Sequence, residues 1–281
     1  MKVHADRVKT RAAPGKRGAA MKLAAVKPTV SATRAQATTK RVHAEGASAH
    51  PARIASLDTL RGLAIVAMIV YHFCFDLRYF GVTRWDFEHD LRWLAARAVI
   101  LSSFLLIAGI SAVLANRQPL PLAHWLRHVA IIAIAALLVS AGSYQMFPPS
   151  FIWFGVLHAI ALSLLLAKPL FPRPWLAGLI GVAIIVAGVT YSNAAFDNRA
   201  LGWIGLMTAK PVTEDYVPLV PWMGVLLVGI GVGHALLRTR FAALAPLARA
   251  PALLRRLGRH SLLVYLVHQP AMIALLWVFV G

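Results

Sequence analysis

Seven unbroken apolar blocks dominate the chain, at roughly 58–79, 93–115, 127–146, 151–168, 174–192, 218–237 and 260–280. A helix of about 20 apolar residues spans the hydrocarbon core of a bilayer. The blocks are continuous rather than alternating, so they read as helices that satisfy their own backbone and not as barrel strands. Proline punctuates the gaps at Pro119 and Pro121, Pro148 and Pro149, Pro169, Pro172 and Pro174, then Pro246 and Pro251. Of 281 residues, 59% are hydrophobic and only 14% charged, too few charges for the surface of a soluble domain of this size. The expected fold is all-α: a membrane bundle of about seven transmembrane helices.

Ahead of the blocks, residues 1–52 are rich in Ala, Lys, Arg, Ser and Thr, with Asp6 and Glu45 as the acids. That composition cannot bury a core and predicts a disordered basic tail, leaving 53–281 as the membrane domain. No apolar stretch follows its basic start, as a secretory signal would require. An organelle presequence, or a start at Met21, are alternatives for this segment.

The net charge of +19 suggests nucleic acid at first sight. Its distribution points elsewhere, because the charge sits in the tail and between apolar blocks, where topology and anionic lipid account for it. Arg117 and Arg127, Lys168 and Arg173, and the run from Arg238 to Arg259 fall on one side of the expected bundle. Asp86, Glu88, Asp90, Asp197, Glu214 and Asp215 fall on the other. The positive-inside rule then predicts a cytoplasmic N-terminus and an outward C-terminus. The single Cys74 excludes an intrachain disulfide framework, and no HExxH or other histidine spacing assembles a metal site.

The first block, SLDTLRGLAIVAMIVYHFCFDL, carries a polar stripe. Ser56 or Asp58 suits the N-cap, where a carboxylate also meets the positive end of the helix dipole. Arg61 and His72 are eleven residues apart, almost three turns, so they share a face about 16 Å apart along the axis. His72 and Asp76 form an i,i+4 pair, close enough for the carboxylate to orient or charge the imidazole. Ionisable groups at membrane depth cost several kcal/mol unless paired or wetted, and so mark function by default. The structural alternative is that Arg61 and Asp76 snorkel to the interfaces, leaving His72 hydrogen-bonded in the bundle.

The stretch RIASLDTLRGLAIVAMIVYHFCFDL resembles the start of the catalytic domain of heparan-alpha-glucosaminide N-acetyltransferase and its bacterial relatives. FLLIAGISA at 104–112, FGVLHAIALSLLL at 154–166, DYVPLVPWMGVLLVGIGVG at 215–233 and LGRHSLLVYLVHQP at 257–270 continue the resemblance in the family's order, over about 54–281. The Arg61-x10-His72 spacing also resembles the first-helix motif of integral-membrane O-acyltransferases. The resemblance implies a transmembrane acyltransferase-like fold, acetyl-CoA as a cytoplasmic donor substrate, a glycan or amino sugar acylated on the far side and, through the bacterial relatives, a bacterial inner membrane.

On that implication His72 is the base or transient acyl carrier, with Asp76 orienting it. His89, in the first outer loop, sits roughly where the eukaryotic relatives keep their catalytic histidine, and is the runner-up; otherwise it is a solvated loop residue. Arg61 is expected to meet the phosphates of CoA near the cytoplasmic mouth, beside Asp58. His158, Asp215, Trp222 and His268 complete the candidate binding residues. Each has a structural alternative: an interhelical hydrogen bond for His158, a helix cap at the sixth block for Asp215, interfacial anchoring for Trp222, and a kink before Pro270 for His268. The partners expected are the lipid bilayer, acyl-CoA and the sugar acceptor, with no nucleic acid and with a homodimer left open. A proton-coupled transporter or a silent membrane scaffold are the competing readings.

Overall fold

The computed structural model describes residues 54–117 and 121–280; the tail expected over 1–52 lies outside them. Among the described residues, eight α-helices of eight residues or more follow one another: α1 (Ala55–Tyr79), α2 (Leu91–Ala115), α3 (Leu122–Met146), α4 (Val156–Ala167), α5 (Pro174–Thr190), α6 (Leu219–Arg238), α7 (Ala252–Arg259) and α8 (Ser261–Val280). Among the described residues there is no sheet, only an isolated bridge between Phe154 and Tyr216. Five helices, α1, α2, α3, α6 and α8, are long and apolar enough to cross a membrane; Val156–Leu170 and Pro174–Thr190 are shorter apolar helices. Their outer faces carry large bare hydrophobics such as Leu137, Leu179 and Val189, the last 77% exposed. Surfaces of this kind belong against lipid tails.

Lipid is as apolar as leucine, so close packing of small residues must hold such a bundle together. The centre does this through α6. Leu226, Leu227 and Ile230 are fully buried with Leu105 of α2 and Ala177 of α5. A Cβ on Gly229 would run into the Leu106 carbonyl of α2, and one on Gly224 into the Gly181 carbonyl of α5. The glycine crowding in 224–233 therefore serves helix contact on two sides.

Two features depart from the expected blocks. The fourth helix begins at Val156 rather than near 151. Residues 151–155 instead run as chain paired with the segment before α6, through Glu214 N–H to Ser150 O and Val217 N–H to Phe154 O. Between α6 and α8 the chain adds α7, bounded by Pro251 and His260. This helix packs on the first turns of α1, where Gly258 faces the Asp58 carbonyl and Gly62 faces the Leu254 carbonyl. The 3-10 segment before it, Ala242–Arg249, is tied to α1 as well, with Thr59 Oγ1 donating to Leu247 O at 2.8 Å.

Candidate functional site

The stripe on α1 is covered by the last helix. His72 meets His268 of α8 edge-on, with ring centroids 5.1 Å apart. One turn further along α1, Asp76 is buried and its Oδ1 accepts a hydrogen bond from Gln269 Nε2 at 2.7 Å. The spacing on α1 predicts that Asp76 orients His72; the carboxylate turns to Gln269 instead, and no hydrogen bond between His72 and Asp76 occurs among the described residues. His268 donates from Nδ1 to the Tyr265 carbonyl at 2.7 Å. Three buried polar atoms at this seam have no partner: Asp76 Oδ2, His268 Nε2 and Gln269 Oε1. Buried polar groups are nearly always satisfied, so three orphans between one pair of helices mark a place for a polar ligand or water.

His158 is held differently. Its Nδ1 accepts from the Gly155 backbone N–H at 3.2 Å, so in the neutral ring the proton sits on Nε2. That N–H points to Ser140 Oγ at 3.2 Å, and the hydroxyl in turn donates to the Ile152 carbonyl at 2.6 Å. Every ring nitrogen is thus committed to fastening α3 and the 151–155 segment to α4. Asp215 has a capping role, though at a helix other than the expected one: its Oδ2 accepts the N–H of Val156, the first residue of α4, at 3.0 Å. A Cβ at Gly155 would collide with this carboxylate, which explains glycine there.

Beside these segments lies a cavity of about 330 Å³, lined in part by Arg97, Lys210, Tyr216 and Trp222. A neighbouring cavity of about 410 Å³ shares Lys210, Met207 and Ala209 and adds Trp153, Asp197 and Arg199. Arg97 is anchored on the Tyr216 carbonyl at 3.0 Å. Partial burial, with the nearby Arg97 guanidinium second, lowers the affinity of the Lys210 amine for its proton against the pull of Glu88, Asp215 and Glu214. Burial pushes the Tyr216 hydroxyl up to about 12, so it stays a donor, and it donates to Gly202 O at 2.5 Å. Asp197 is held below the usual carboxylate range by the hydroxyl and then the N–H of Thr208.

The other candidates fall outside the seam. His89 is on the surface, its side chain 81% exposed, with Nδ1 3.1 Å from Asp86. The Asp86 carboxylate is kept low chiefly by the backbone N–H groups of Glu88 and His89. Arg61 pairs with the buried Asp58 at 3.1 Å and reaches Ser111 of α2 at 2.6 Å, three turns of α1 away from His72. Trp222 lines the cavity of about 330 Å³ and packs on the core. Gln269, between His268 and Pro270, suits either a ligand contact or a structural role by sequence alone. Arg97 and Lys210 carried no signal beyond a charge near a block end or in a loop. Among the described residues, no group of three or more His, Cys, Asp or Glu could hold a metal ion.

A helical membrane bundle with a buried Asp and half-buried His and Gln side chains facing one another across two apolar helices defines a class: polytopic membrane proteins with a polar seam inside. The particular family follows from comparison, since the description heparan-alpha-glucosaminide N-acetyltransferase, catalytic, matches residues 53–270. The chain belongs to that family. No curated protein and no solved structure matches it.

Proposed function

We propose that the chain is a membrane-embedded acyltransferase that passes an acetyl group from acetyl-CoA to an amine or hydroxyl of a sugar across the bilayer. Membership of the family supports an acyl-transfer reaction. The observation that carries the site is the seam of α1 and α8, where His72 lies against His268 and Asp76 against Gln269 with three polar atoms unpartnered. Acyl transfer needs a proton acceptor for the incoming nucleophile and polar groups around the reacting carbonyl, in a site shielded from bulk water.

His72 is the residue that meets the acyl group, as base or transient carrier. The N-terminal end of α1, with Arg61 and the arginines around α7, faces the cytoplasm and draws in the phosphates of CoA. The end bearing Asp86, Asp197 and Glu214 faces outward, and the cavities at Lys210 and Trp222 admit the sugar. The membrane is the bacterial inner membrane.

Incubating the detergent-purified protein with labelled acetyl-CoA and a panel of amino sugars and lipid-linked glycans tests this. Transfer by the wild type that survives His89→Ala and is lost in His72→Ala supports the reading. Absence of transfer to every acceptor, or activity untouched by His72→Ala, contradicts it.

A further inference from the structure

His268 has an environment suited to a base. A carbonyl oxygen can only accept, so the contact to Tyr265 O fixes the ring proton on Nδ1. In the neutral ring Nε2 is then a bare lone pair. That atom is buried and has no partner, beside the His72 ring. His158 is the instructive contrast, because both of its nitrogens are already engaged, one as acceptor and one as donor. An acceptor atom left unsatisfied is costly unless a donor arrives in the working state.

The neighbouring atoms share this character. With Gln269 donating from Nε2 to Asp76, its Oε1 is an acceptor, as is Asp76 Oδ2 when the carboxylate is ionised. The polar wall contributed by α8 therefore calls for hydrogen-bond donors. An amine or hydroxyl acceptor brings a donor to such a wall, whereas a thioester carbonyl brings none.

Resting on the acyltransferase reading, we propose that His268 is the catalytic base that takes the acceptor's proton, leaving His72 to the acyl group. As the acceptor nitrogen or oxygen forms its bond to the acetyl carbonyl carbon, its proton passes to His268 Nε2. The bond between that carbon and its carrier, the sulfur of CoA or a ring nitrogen of an acetylated His72, then breaks with its electron pair leaving on the carrier atom. That atom receives the proton from His268, which regenerates the neutral ring. Gln269 is a positioning residue that holds Asp76 at the seam and keeps α8 in register with α1.

The test compares wild type, His268→Ala and His268→Gln for transfer of labelled acetyl from acetyl-CoA to glucosamine and to a glycan acceptor. Size-exclusion and thermal-melting profiles serve as folding controls. The expected result is a kcat lower by about 10²-fold or more, a KM for acetyl-CoA changed little, and partial recovery of His268→Ala by added imidazole. The basic limb of the wild-type pH profile, but not its acidic limb, survives in the rescued variant, because added imidazole replaces the titrating ring. Folded variants that keep wild-type kcat, or lose activity only through KM, overturn the proposal while wild-type transfer keeps the acyltransferase reading. A wild type that transfers to nothing overturns both.

Discussion

Gln269 donates its side-chain amide to the carboxylate of Asp76 at 2.7 Å, tying the last helix to the first across 193 residues of sequence. Asp76 is buried and Gln269 half-buried, so the carboxylate relies on this donor more than an exposed one would. Gln269→Leu strips a buried carboxylate of its donor and should destabilise the fold by about 1–3 kcal/mol. In a double-mutant cycle, the same substitution should cost clearly less in an Asp76→Leu background. Melting in detergent measures the coupling, and strictly additive effects would contradict the pairing.

The contact between α7 and α1 depends on two glycines. Gly258→Ala puts a methyl group into the Asp58 carbonyl, which the helix backbone cannot move aside cheaply. A loss of about 1–3 kcal/mol is expected, as for overpacking elsewhere. Gly142, which has open space at its Cβ position, provides the control, since Gly142→Ala should be neutral or stabilising.

Ser140 links the His158 ring to the Ile152 carbonyl. Ser140→Ala leaves an N–H and a carbonyl without their partner, and should lower stability by about 1–3 kcal/mol. If His158 serves only to fasten segments, the transfer chemistry of the folded variant stays within a few-fold of wild type. A loss of transfer without loss of stability would return His158 to the candidate binding residues.

Lys210 supplies a prediction in pH. Its amine binds a proton less firmly than an ordinary lysine, mainly through partial burial at the cavity wall. Its folded pKa lies below its unfolded one, so the unfavourable charging is felt at neutral pH and fades as pH rises through the folded value. Lys210 should therefore reach half-maximal labelling by an amine-reactive reagent at lower pH than the lysine of a short reference peptide, as read by mass spectrometry. Arg97→Gln should move that midpoint upward; an unchanged midpoint would remove Arg97 as a cause.

The helices on which the site rests were legible because transmembrane helices write their length directly into hydropathy. The stripe Arg61, His72 and Asp76 was legible because a 3.6-residue period is local. What faces the stripe was not. His268 and Gln269 meet α1 only after the chain has crossed the whole bundle, and no local pattern encodes that pairing. Asp215 illustrates the same limit, since it caps a helix that begins 59 residues before it and not the one it precedes. The α7 helix is not legible because its eight residues are too short for apolar periodicity to register against a basic loop.

The central claim is acetyl transfer across the membrane, and sealed proteoliposomes address it most directly. With labelled acetyl-CoA added to the face that carries the N-terminal end of α1, and glucosamine or a glycan acceptor trapped on the other, label should accumulate on the trapped acceptor. Its accumulation should require His72. Label found only on acceptor added to the same side as acetyl-CoA, or no labelled product in a protein that is folded and oriented, would contradict the account.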